Sequence, residues 1–229
     1  LKADKVILSG GVMGTVKLLL KWQQNGSLKN LSKKLGDFVR TNSEAIIGVK
    51  GKNKPGQDFS RGIAISAGFH PDEKTYIETV RYGKGQTAMA MLTTFIPNRS
   101  LPLPGIIRWG ISIIKHPLQF IKNLVPIGWE KNSVILVIMQ PVSNFLKFSY
   151  KRRWWRLGGY SMNSETQSGE PIPSHIPVGE ETAELVKQKT GGTLMTSYMD
   201  AILGIPTTAH ILGGACIGED IHSGVIDEN

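Results

Sequence analysis

The run Thr207-Thr208-Ala209-His210-Ile211-Leu212-Gly213-Gly214 holds the residues best suited to chemistry, because it sets one imidazole beside a glycine pair. An imidazole can take or give a proton near neutral pH, and glycines leave room for a bulky planar ligand to come close to the backbone. That combination suits a redox cofactor site. Cys216 sits midway between His210 and His222. Nothing beside it would lower a thiol pKa, so it reads as a small buried hydrophobe rather than a nucleophile. Near the other end, Ser9-Gly10-Gly11-Val12-Met13-Gly14 partly matches a dinucleotide fingerprint but lacks the full G-x-G-x-x-G pattern and its acidic residue. By itself this is a glycine turn that lets a strand and a helix pack. A P-loop, a G-x-S-x-G elbow and zinc-type Cys/His spacings are all missing from the sequence, and no metal is expected.

These residues need elements to hold them. Lys5-Val6-Ile7-Leu8 reads as a short buried strand, turning at Ser9–Gly11 into an amphipathic helix over residues 12–24. Parallel-sheet neighbours for that strand are not found, and the tail stops at an apolar pair followed by turn residues, so a piece of a longer protein is expected. Between the ends, residues 45–49, 62–67, 75–80, 133–139 and 145–150 are rich in β-branched or aromatic side chains and predict strands. Short connections predict antiparallel pairing. Helices are expected over 106–124, broken near Pro117, and over 180–189; residues 51–57 and 163–174 read as loops.

Composition bounds the class. Over 229 residues, 40% are hydrophobic and 20% charged, which is ordinary for a protein with a packed interior. A net charge of +9 favours anionic surfaces of some kind. A single cysteine excludes an internal disulfide and points to a reducing compartment or to a protein that needs no such staple. The uncharged stretch 201–218 has the length of a membrane span, but Pro206, His210 and its glycines argue against a helix there. No signal peptide is visible. A cytoplasmic or peripheral-membrane location is the expectation.

Two basic stretches admit other readings. Arg108, Lys115 and Lys122 recur at heptad spacing in an isoleucine-rich helix that, with Trp109 and Phe120, could rest on a membrane surface. A core-facing helix is the preferred account. Residues 147–156 interleave Tyr150, Trp154 and Trp155 with basic side chains, as a single-stranded nucleic-acid binder would. A hairpin bending at Lys151-Arg152-Arg153, with Trp154 and Trp155 on the return strand, explains them more simply, and no nucleic-acid partner is expected.

His210-Ile211-Leu212-Gly213-Gly214 with Cys216 resembles the His-Pro-x-Gly-Gly segment of the glucose-methanol-choline (GMC) oxidoreductases, particularly their cholesterol oxidase branch. Residues 6–15 likewise resemble the strand, turn and helix that pass the flavin in that family. Two departures stand out: Ile211 occupies the usual proline position, and the family's second catalytic group, an Asn or His further on, is absent. The resemblance implies an α+β fold, an antiparallel-sheet substrate domain with helices flanked by pieces of an α/β, Rossmann-like FAD-binding domain. It implies residues 1–25 and 206–229 as the flavin-domain pieces and 26–205 as the substrate-binding part. FAD is the implied cofactor, bound by Ser9, Gly10, Gly11, Gly213 and Gly214, and a sterol or other alcohol the substrate. His210 would act as the base on the substrate hydroxyl.

Glu78, in Tyr76-Ile77-Glu78-Thr79-Val80, resembles by local order the glutamate that shifts the ring double bond in cholesterol oxidases. An apolar sterol pocket would raise its pKa and suit it to that task. A surface ion pair with Arg81 or Lys84 explains it equally well. Met89, Met91, Leu92 and Phe95 fit either a sterol cavity or an ordinary core. The alternatives to an FAD-dependent sterol oxidoreductase are a non-enzymatic basic module that binds membranes through residues 106–124, and a family member that keeps the fold without activity.

Overall fold

Ser133–Met139 is apolar at nearly every position, and a strand buried on both faces belongs at the centre of a sheet. The computed structural model, which describes residues 2–52, 54–154, 157–173 and 175–227, places it there. In chain order the first elements are helix α1 (Gly11–Gln24) and strands β1 (Arg40–Thr41), β2 (Ala45–Lys50), β3 (Ile65–Phe69) and β4 (Tyr76–Val80). A 3₁₀ turn (Thr87–Leu92), strand β5 (Thr93–Phe95) and helices α2 (Gly105–Lys115), α3 (Pro117–Leu124) and α4 (Trp129–Asn132) follow. Next come strands β6 (Ser133–Met139), β7 (Asn144–Arg152) and β8 (Tyr160–Gly169). The last are helix α5 (Pro177–Thr190), strand β9 (Thr193–Ser197), helix α6 (Tyr198–Leu203) and strand β10 (Ile211–Leu212). The chain is a mixed α+β protein whose named strands all pair antiparallel.

Two compact units divide it. One gathers residues 1–42, 142–171 and 210–229; the other holds 43–141 and 172–209. In the second unit the sheet order is β3-β4-β6-β2-β9-β5. Alternation along each strand sorts side chains to two faces. Ile47, Val49, Ile77, Leu136 and Ile138 bury against Ile176 and Ala183, contributed by α5 and the residue before it. Ile135, Val137, Met139 and Met195 point the other way and pack with Ala90 and Trp129. In the first unit Val16, Leu19 and Leu20 of α1 pack against Leu35, Val39 and Phe148, beside the β7–β8 hairpin and the short β1–β10 pair.

Several sequence expectations need correction. Residues 5–8 form no strand: Val6 and Ile7 are exposed, and without a ladder partner an apolar run has nothing to hold it extended. The loop read over 163–174 is mostly β8, a polar segment made a strand by its pairing with β7, where Met162 faces Tyr150. Strand β7 ends at Arg152 and β8 begins at Tyr160, so Trp154 lies between the two strands rather than on the return strand. Trp155 and Arg156 lie outside the described residues. The strand expected over 62–67 is displaced to Ile65–Phe69, and β5 and β9 went unread. Pro117 does break the long helix, as its first-turn position dictates.

Candidate functional site

In the first unit, α1 opens on glycines. Gly10 donates its N–H to Thr15 Oγ1 at 3.1 Å, and Gly11 takes a left-handed φ of +64°. Ser9, Gly10 and Gly11 are exposed, and nothing lies within 4 Å of where a Gly11 side chain would begin. The first turn carries no acidic residue.

The tail segment lies against this same helix. Ile211 and Leu212 pair with Thr41 and Arg40. Gly213 (φ +94°) has no room for a side chain, because a Cβ there would collide with the Phe38 carbonyl oxygen. A Cβ on Gly214 would sit 3.0 Å from Val16 Cγ2 and 3.2 Å from Val39 Cγ2. Here the close approach expected of a planar ligand is made by the chain itself, and it is what lets the segment after His210 lie on α1. Thus the two glycine-bearing ends meet in one unit. His210, just before β10, is exposed on that surface. Cys216 is half-buried, and its carbonyl accepts from Val225 and Ile226. Beyond it, Asp220 accepts from the Ser223 hydroxyl and from the Ser223 and His222 amides, which hold its carboxyl below the usual range.

Glu78 belongs to the second unit. On β4 it pairs with Gly68 on one side and Val137 on the other. It shares a sheet face with Tyr76 and Val80, so a half-buried carboxylate stands among Ile135, Val137 and Met139. Among the described residues it forms no ion pair; the Arg81 guanidinium instead donates to the Arg61 carbonyl at 2.6 Å. Of the apolar residues considered for a cavity, Phe95 is buried and Met89 packs on this face, while Met91 and Leu92 are exposed. Lys50, which drew no notice in the sequence, falls on the same side of the sheet as Ile46. Its ammonium donates to the Lys122 carbonyl (3.2 Å) and Asn123 Oδ1 (3.3 Å), and burial pulls its pKa down. Only its place at the end of an apolar strand could have signalled this.

A second polar cluster also lies in this unit. Arg99 bridges Asp200 (2.7 Å) and Glu180 (3.0 Å), His175 meets Glu180, and Thr196 donates to Asp200 at 2.7 Å. Together these tie the segment before α2 to α5 and α6. Among the described residues no group of three or more His, Cys, Asp or Glu side chains could hold a metal ion.

No protein-family model matches the chain. Among curated proteins it is 38% identical over 230 residues to the cholesterol oxidase of Mycobacterium tuberculosis, in both the CDC 1551 and H37Rv strains. That match covers 98% of this chain and 39% of the relative. It is 33% identical over 226 residues to the cholesterol oxidase of Acinetobacter baumannii, covering 99% of this chain and 40% of the relative. The chain thus spans about two fifths of the length of these relatives. Similarity along nearly its whole length thus links the chain to part of the cholesterol oxidases.

Proposed function

We propose that the protein is an FAD-dependent oxidoreductase that oxidises the CH–OH group of a sterol to a ketone and then shifts the ring double bond. On this reading residues 1–25 and 206–229 serve the flavin and 26–205 the substrate. The observation that supports it best is the packing of Gly214 on Val16, which joins the His210 segment to the helix that begins at Gly11. Ser9, Gly10 and Gly11 suit a bound flavin because they are exposed, open to close approach and unopposed by acidic side chains. Gly213 and Gly214 serve it by setting the backbone that carries His210.

Oxidising an alcohol removes a hydride and a proton, and side chains do not readily accept hydride; FAD, when bound, supplies the acceptor. His210 accepts a hydrogen bond from the substrate hydroxyl and takes its proton, which an imidazole does well at neutral pH. The ketone so formed acidifies the carbon between it and the ring double bond. Glu78 takes that proton and returns it at the far end of the enolate. A carboxylate set among apolar side chains has little water to exchange the proton with.

His210→Ala in the full-length protein tests the reading. Turnover of detergent-dispersed sterol is expected to fall by about 10²- to 10⁴-fold, the usual worth of a general base, with the flavin absorption band retained. Unchanged turnover would remove His210 from the reaction.

A further inference from the structure

Residues 204–210 run from the end of α6 to the start of β10 and belong to no helix or strand. A base carried on such a segment is only as well placed as the contacts that hold the backbone beside it. After His210 the ladder supplies them, since Ile211 pairs with Thr41 and Leu212 with Arg40. Before it the hold comes from a side chain. Glu44 Oε2 accepts the Ala209 N–H at 2.5 Å, one peptide bond away from His210.

Glu44 is itself fixed. It directly precedes Ala45, the first residue of β2, which pairs with Ile138 on the central strand β6. Its side chain is among the large ones fully buried in the protein, with 1% of the residue exposed. Replacing a buried polar group by an apolar one of its shape is often neutral or stabilising, so a carboxylate kept here does more than fill space. Water is excluded from its end of the bond, and a hydrogen bond so shielded is stronger than one at the surface. Pro206 and Thr207 of the same segment line a small cavity with Glu44, together with Arg99 and Asp200 of the ion-paired cluster. The segment therefore borders Glu44 before it reaches Ala209.

We propose that Glu44 is a positioning residue: its carboxylate fixes the Ala209 peptide and so sets where the His210 imidazole stands against the substrate hydroxyl. Each residue has only two soft backbone dihedrals, so holding both neighbours leaves the Cα–Cβ bond of His210 little freedom to swing. This rests on the reading of His210 as the base, and Glu44 acts on the reaction only through it.

In the full-length holoenzyme, Glu44→Met keeps the buried volume and removes both acceptor oxygens. For sterol oxidation kcat is expected to fall about 10- to 100-fold with KM changed less than about twofold, and Glu44→Gln, whose amide oxygen still accepts the Ala209 N–H, should recover most of the rate. Added to His210→Ala, Glu44→Met should lower turnover no further, since its effect passes through the imidazole. Hydrogen exchange needs no turnover: over residues 205–212 it should quicken at least about tenfold in Glu44→Met and return towards wild type in Glu44→Gln, with β2 and β6 unchanged. Should Glu44→Met fail to fold, Glu44→Asp, which draws the carboxylate back by one methylene, carries the same expectations. Unchanged kcat or unchanged exchange in the folded variant, or an equal fall in the wild-type and His210→Ala backgrounds, would overturn the proposal. So would a parallel loss of double-bond migration on supplied unconjugated ketone, which would mean that Glu44 serves the sheet carrying Glu78 rather than His210. Wild-type turnover in His210→Ala would count against the base reading, and exchange would still decide whether Glu44 holds the segment.

Discussion

The two units hold their candidate groups in opposite ways. The unit of residues 43–141 and 172–209 presents Glu78 from the body of a six-stranded sheet, fixed on both sides by ladder pairing with Gly68 and Val137. The unit of residues 1–42, 142–171 and 210–229 presents His210 from an irregular segment secured by a two-residue strand and by glycines pressed against Phe38, Val39 and Val16. A sheet positions a side chain through its own hydrogen bonds and a deep core. An irregular segment positions one through close backbone contact, where any added atom is in the way. The first arrangement should fail by losing volume and the second by gaining it.

Substitutions can separate these two modes. Leu136→Ala, at a fully buried site on β6, should cost about 2–5 kcal/mol in denaturant unfolding, because the sheet cannot collapse onto the cavity. Gly213→Ala adds one methyl where the Phe38 carbonyl already lies, at a φ that disfavours any side chain. A loss of about 1–3 kcal/mol is expected, accompanied by weaker flavin retention during gel filtration. Equal tolerance of both changes would dissolve the contrast.

The smallest effect concerns Lys50. Burial disfavours its ammonium, so the folded protein releases that proton at a lower pH than the unfolded chain does. Through the window below the ordinary lysine value of about 10.4, the unfolded state holds more protons, and stability rises with pH. Lys50→Met should lack that rise. Melting curves for the two proteins that keep the same separation across the alkaline range would contradict the assignment.

Legibility in the sequence followed the same division. β2, β4 and β6 were readable because Ala45–Lys50, Tyr76–Val80 and Ser133–Met139 carry their apolar, β-branched residues in short bounded runs. β8 was not, since Ser161, Asn163, Ser164 and Glu165 look like a loop until β7 supplies the ladder. β9 hid for a similar reason: Thr193–Ser197 is half hydroxyl-bearing, and its place depends on β2 and β5, both distant in sequence. His210 and its glycines stood out by composition. The packing of Gly213 on Phe38 did not, because a contact between remote segments leaves no local spacing to read. Val6–Leu8 misled in the other direction, as an apolar run with no neighbouring strand to pair with.

The account's central claim is that the two units carry separable chemistry, hydroxyl oxidation with His210 and double-bond migration with Glu78. Product analysis of the Glu78→Gln variant of the full-length protein tests it most directly. Gln has nearly the shape of Glu but cannot take up the proton, so the ketone with its double bond unshifted should accumulate while sterol consumption continues near the wild-type rate. A conjugated ketone formed at the wild-type rate, or loss of oxidation and migration together, would contradict it.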